Sequence, residues 1–129
     1  MAAGTPDIRV LIVDDQAVFR DAARAVVAAT EGFAFAGEAS CGQSALAAIP
    51  AVDAQLVLMD VRMPGMGGIE AARIIEERHP EAVVLLLSAA VPSEIARSAG
   101  PRQLIVDKRT LTPNLLRTAW HAARPAQRA

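Results

Sequence analysis

The sequence is poor in rings and in sulfur: its 129 residues include three Phe, one Trp, no Tyr and a single Cys. So few aromatics exclude a core built on stacked rings, and 28 alanines within a 53% hydrophobic composition point to an aliphatic, finely packed interior. One cysteine excludes an internal disulfide framework and any cysteine-rich metal site, which fits a reducing, cytoplasmic setting. Cys41 reads as a small helix-entry residue. An excess of charge is missing too, since 13 basic residues against 14 acidic ones leave a net charge of -1. That balance excludes a chain built to neutralise nucleic-acid phosphates or an anionic membrane. Long apolar runs are also absent. The richest, "AVVLLLSAAV", falls far short of a bilayer span, and the N-terminus "MAAGTPDIRV" lacks the basic start and apolar stretch of a signal peptide. A single soluble domain with a real interior is expected, with no membrane contact and no direct contact with nucleic acid.

What the chain does have is alternation. Short aliphatic runs recur, each followed by a polar or Gly-containing junction and then an Ala-rich stretch with helical spacing. The spacing predicts strands over Ile8 to Val13, Phe33 to Ala39, Gln55 to Met59, Val83 to Leu87 and Gln103 to Val106. Nearly unbroken Val/Leu/Ile runs predict strands covered on both faces, and so a parallel sheet. Helices are predicted over Gln16 to Ala29, Gly42 to Ile49, Gly68 to Arg78 and Pro113 to Ala123, with a brief, weak one over Ser93 to Ala99. In the first, Val18, Phe19, Ala22, Ala23, Val26 and Val27 form the apolar side. Pro50 is expected to close the second, and Thr112 and Pro113 to open the last. Five such units make an α/β domain, a doubly wound five-stranded parallel sheet of order 2-1-3-4-5.

On this scheme Asp14 and Asp15 follow the first strand, Asp60 the third, Ser88 the fourth and Lys108 the fifth. All lie at carboxyl ends of strands, the edge where ligands bind in an open parallel sheet. Taken singly, each has a plain explanation. Asp15 directly precedes a helix and reads as its N-cap, Asp60 as a solvated strand end, Lys108 as a surface lysine and Ser88 as a polar strand terminus. Their coincidence on one edge does not. Three converging carboxylates need a cation, and oxygen donors without His or Cys suit Mg²⁺ or Mn²⁺. With a lysine and a hydroxyl beside them, they make a phosphoryl-transfer site whose nucleophile is an aspartate.

The segments "VLIVDDQ", "LVLMDVRMPGMGG", "VVLLLSA" and "VDK", in this order and spacing, resemble the receiver domain of bacterial two-component response regulators. The likeness covers residues 7–123, leaving 1–6 as an extension and 124–129 as a tail or linker stump. It implies that Asp60 accepts a phosphoryl group from a phosphohistidine of a sensor histidine kinase. It further implies that Asp15, Asp60 and the backbone carbonyl of Arg62 ligate Mg²⁺, with Asp14 acting through water, while Ser88 and Lys108 contact the phosphoryl oxygens. Ala89 would keep the approach to Asp60 open, and Pro64 and Gly68 would shape the loop. "FAFAGEAS" and "KRTLTPNLLRTA" look closest to receivers that precede a helix-turn-helix domain of the NarL/LuxR type, an output domain not found in this sequence.

The chain departs from that pattern where receivers report phosphorylation. Ile105 stands where a Tyr or Phe is usual, Arg109 where proline is common and Gly67 where an acidic residue is common, and the stretch from Ser88 to Gly100 is short. A receiver that takes up phosphate but reports it unusually is therefore expected. The alternative is a phosphorylation-independent interaction module. A small phosphohydrolase would need an added acid or base near Asp60, and none is evident. His79 and His121 read as a helix-end and an exposed residue, and Met59 as core, with Met63 and Met66 as loop packing. Trp120 reads as either core or part of a homodimer surface.

Overall fold

A computed structural model describes residues 7–89 and 104–123. The helix expected over 93–99, the extension 1–6 and the tail 124–129 lie outside the described residues. Chain order runs β1 (Ile8–Val13), α1 (Ala17–Ala28), β2 (Phe33–Ala39), α2 (Gly42–Val52), β3 (Leu56–Asp60), α3 (Gly68–Arg78), β4 (Val83–Ser88), β5 (Leu104–Asp107) and α4 (Pro113–Ala123). All strand pairs are parallel and the sheet order is β2-β1-β3-β4-β5, as the sequence predicts.

The pattern of β-branched and leucine residues explains which strands are central. β3 and β4 are buried along their whole length, whereas the edge strand β5 is only half-buried. Alternation along each strand divides the interior into two apolar layers. One holds Leu11, Val13, Val57, Met59 and Leu86 against Ala45 and Ile49 of α2 and Ala72 and Ile75 of α3. The other holds Val10, Ile12, Leu58 and Leu85 against Val27 of α1 and Leu116 of α4. Trp120 belongs to this second layer, 7% exposed, its ring edge-on to Phe33 at 6.3 Å between centroids. It is a core residue. Each fully buried aliphatic side chain in these layers contributes about 1.5–3 kcal/mol relative to exposure.

Three local expectations need correction. Pro50 lies inside α2 rather than closing it. The helix runs on to Val52 and ends at Asp53, which is left-handed at φ 54°, with Ala54 N donating to Ile49 O at 3.0 Å and Asp53 N to Pro50 O at 3.4 Å. The stop comes from this paired-carbonyl cap, its apolar clamp being buried Ile49 and Ala54. In α1, Val18 is 70% and Phe19 36% exposed, so the apolar stripe does not reach the helix's first turn. That turn stands over the sheet's carboxyl edge, where there is no strand left to cover. Asp15 is not the α1 N-cap either, since Gln16 holds that position and Asp14 Oδ1 accepts the Gln16 N–H at 2.9 Å.

Other local expectations hold. Thr112 Oγ1 accepts from Leu115 N at 3.1 Å at the start of α4, and Cys41 caps α2 by accepting from Ser44 N at 3.5 Å. His121 is exposed, His79 is the C-cap of α3, Met59 and Met63 are buried, and Met66 packs on the first layer.

Candidate functional site

The strands deliver their polar residues to one edge because each sequence turns polar at, or just after, the last residues of its ladder. Asp60 is the last residue of β3 and pairs with Leu87, while Ser88 is the last of β4 and pairs with Asp107. Both strands run one residue further than the apolar runs alone suggest, and the ladder continues past Asp60, with Val61 N donating to Leu87 O at 2.9 Å. Asp14 and Asp15 follow β1 directly, with Asp14 N bonded to Ala39 O on the neighbouring strand at 3.1 Å. Lys108 opens a single 3₁₀ turn, Lys108–Thr110. Asp107 fixes that turn by accepting from Arg109 N at 2.9 Å and from its guanidinium at 2.9 and 3.0 Å.

These elements bring the predicted residues together. One carboxylate oxygen from each of Asp14, Asp15 and Asp60 lies within 4.8 Å of the others. Lys108 Nζ is 2.6 Å from Asp14 Oδ2 and 3.5 Å from Asp60 Oδ1, with its side chain only 8% exposed. A cleft of about 470 Å³ opens above them, lined by Asp15, Asp60, Arg62, Ser88, Ala89 and Lys108, together with Gln16 and Phe19. Every residue expected at the site except Asp14 lines this cleft, and Asp14 lies behind it, 3% exposed and in contact with Lys108. Burial pushes the Asp60 carboxyl above its ordinary value of 3.8, the Lys108 charge opposes that, and the neighbouring Asp14 and Asp15 charges reinforce it. Such a cluster of oxygen donors with no nitrogen or sulfur among them suits a hard divalent cation.

The loop between β3 and α3 depends on close backbone approach. Gly68 N donates to Val61 O at 2.9 Å, and a Cβ on Gly68 would overlap the Asp60 carbonyl oxygen. Glycine at this position is thus what lets α3 start directly beneath Asp60.

Sequence reasoning missed three contributors. Gln16 presents its backbone N–H to Asp14, and Arg20 binds the Asp14 carbonyl at 2.7 Å while pairing with Glu38 at 2.9 Å, tying α1 and β2 to the acidic loop. Phe19, placed by its periodicity in the core, instead lies with its ring centroid 3.6 Å from Lys108 Nζ. The available signal was positional: Phe19 is in the first turn of a helix that starts at a strand's carboxyl end, so it projects toward the site.

Comparison with known proteins follows the same lines. A family model described as the response regulator receiver domain matches residues 10–102. The response regulator GacA of Pseudomonas aeruginosa is 37% identical over 81 residues, which are 63% of this chain and 38% of that protein. The response regulator UvrY of Escherichia coli O6:H1 is 38% identical over 81 residues, 63% of this chain and 37% of that one. The chain thus spans less than half the length of these relatives. Among solved structures, a two-component response regulator of the LuxR family from Aurantimonas sp. SI85-9A1 superposes with a TM-score of 0.80 at 28% identity, covering 93% of this chain and 86% of that one. The signal receiver domain of NarL from Mycobacterium tuberculosis gives a TM-score of 0.80 at 27% identity, covering 93% and 98%.

Proposed function

This chain belongs to the response regulator receiver domain family, and from that premise we propose that Asp60 accepts a phosphoryl group from a phosphohistidine of a sensor histidine kinase. The observation that carries the reading is the placement of one nearly buried carboxylate, Asp60, within 4.8 Å of two others and 3.5 Å from a buried ammonium. In the transfer, an Asp60 carboxylate oxygen forms a bond to phosphorus as the P–N bond to the donor imidazole breaks, the electron pair leaving with the imidazole. Lys108 and Ser88 hold phosphoryl oxygens through their N–H and O–H donors, and small Ala89 leaves the approach to Asp60 open. Asp15, Asp60 and the Arg62 carbonyl would hold Mg²⁺, or Mn²⁺ in its place, with Asp14 acting through water. When bound, the ion neutralises charge that builds up on the transferring group. The domain is assigned to residues 7–123 and the setting to the cytoplasm, and no helix among the described residues is long and apolar enough to cross a membrane.

The intact set of Asp14, Asp15, Asp60 and Lys108 favours phosphate-dependent signalling over a phosphate-independent interaction module. Control of transcription through a helix-turn-helix domain is proposed by analogy with the relatives, one of which is a transcriptional regulatory protein, DegU of Brevibacillus brevis. Incubation with acetyl phosphate and Mg²⁺ followed by intact mass tests the core of the reading. A gain of one phosphoryl that disappears in Asp60→Asn is expected; no gain with any small donor or phosphohistidine donor would overturn it.

A further inference from the structure

Lys108 reaches the site on a flexible four-carbon stem from the end of an edge strand, yet its ammonium is held on several sides. Asp14 Oδ2 lies at 2.6 Å, Asp60 Oδ1 at 3.5 Å and the Phe19 ring centroid at 3.6 Å. The last distance is well inside the roughly 6 Å at which a ring's quadrupole attracts a cation. Phe19 is supplied by α1 and Lys108 by the turn after β5, so the contact joins side chains from two separate elements. The ring also stands between two cavities: the acidic cleft and a mainly apolar one of about 220 Å³ bounded by Ala22, Val26, Leu58 and Leu111. With Phe19 36% exposed, the ring's place in the core does not explain its position.

We propose that Phe19 is a positioning residue for phosphoryl transfer: its ring face holds the Lys108 ammonium over Asp60, a role that rests on the reading of Asp60 as the phosphoacceptor. In the reaction with acetyl phosphate, an Asp60 oxygen forms the new P–O bond while the P–O bond to acetate breaks and its electron pair leaves with acetate. Lys108 lends its N–H donors to the oxygens of the group in flight. An ammonium free to swing toward solvent serves that role less often, so the ring acts on rate through Lys108. Leucine at position 19 would retain an apolar contact with the cavity but supply no ring face.

The test compares the unsubstituted chain with Phe19→Leu and Phe19→Tyr by two measurements. Ring currents are expected to shift the Lys108 ε-methylene proton signals upfield in the unsubstituted chain and in Phe19→Tyr, and to release them in Phe19→Leu. The rate of Asp60 phosphorylation by acetyl phosphate and Mg²⁺ is expected to fall about tenfold in Phe19→Leu and to recover to within about twofold in Phe19→Tyr. Unshifted Lys108 signals in the unsubstituted chain would overturn the proposal, as would a Phe19→Leu rate equal to that of the unsubstituted chain. Failure of the unsubstituted chain to take up phosphoryl, with Lys108 ring-shifted, would instead overturn the reading of Asp60 and the kinetic role built on it.

Discussion

Burial holds the Asp60 carboxyl above the usual carboxylate range, the Lys108 charge pulls it down, and the charges of Asp14 and Asp15 push it up again. The direction fixes how stability depends on pH. Between the ordinary value of 3.8 and the raised native value, the folded chain binds the Asp60 proton more tightly than the unfolded chain does. Stability contributed by this group is therefore present below the ordinary value and lost as pH rises through the native one. In chelator-treated protein at neutral pH, Asp60→Asn is expected to be more stable than the unsubstituted chain by about 1 kcal/mol, the gap closing as the solution is acidified toward the ordinary carboxylate range. Urea titrations at a series of pH values measure it. A less stable Asp60→Asn at neutral pH would mean that pairing with Lys108 outweighs burial.

Among the elements, β3, the loop after it and α3 meet in a close backbone approach at Gly68. Gly68 admits no side chain: an added Cβ would meet the Asp60 carbonyl oxygen and lie 2.9 Å from Val61 Cα, both backbone atoms that cannot rotate away. Gly68→Ala is expected to destabilise the fold by about 2–3 kcal/mol in urea denaturation, the typical cost of forced backbone shifts. A loss below about 0.5 kcal/mol, the range of inert surface changes, would contradict the close approach. Much at this scale was legible in the sequence. Aliphatic runs marked the strands, Thr112 and Pro113 marked the start of α4, and the polar residues at or just after the ends of β1, β3, β4 and β5 marked the site. What was not legible has two causes: at Pro50 a local cap, and at Phe19 and Arg20 partners distant in the chain. Pro50 stays helical because its own helix is capped three residues later through Ile49 and Pro50 carbonyls. Phe19 leaves the apolar pattern of α1 toward Lys108, and the role of Arg20 depends on Glu38, which comes from β2.

Across the whole molecule, the four aromatics with which the sequence is so sparing fall into distinct roles. Phe33 and Trp120 pack edge to face in the core, Phe35 lies under the Arg24 guanidinium at 4.3 Å, and Phe19 lies under Lys108. None is on β5, where Ile105 is half-buried, pairs with Leu86 and packs on the layer formed with α2 and α3. An aliphatic side chain already seated in a packed layer gives the sheet edge no ring to reorient when Asp60 is modified. Binding of beryllofluoride with Mg²⁺ is therefore expected to shift amide signals strongly around Asp14, Asp60 and Lys108 and only weakly over the rest of residues 91–123. Large shifts spread across 91–123 would show that the domain transmits its state without the ring.

Whether Asp60 is the acceptor decides the account. The measurement that addresses it is peptide mapping after phosphorylation, with the acyl phosphate trapped by borohydride reduction before digestion. The modification is predicted in the peptide that carries Asp60 and at that residue alone. Modification at Asp14, Asp15 or any other residue, with Asp60 untouched, would contradict it.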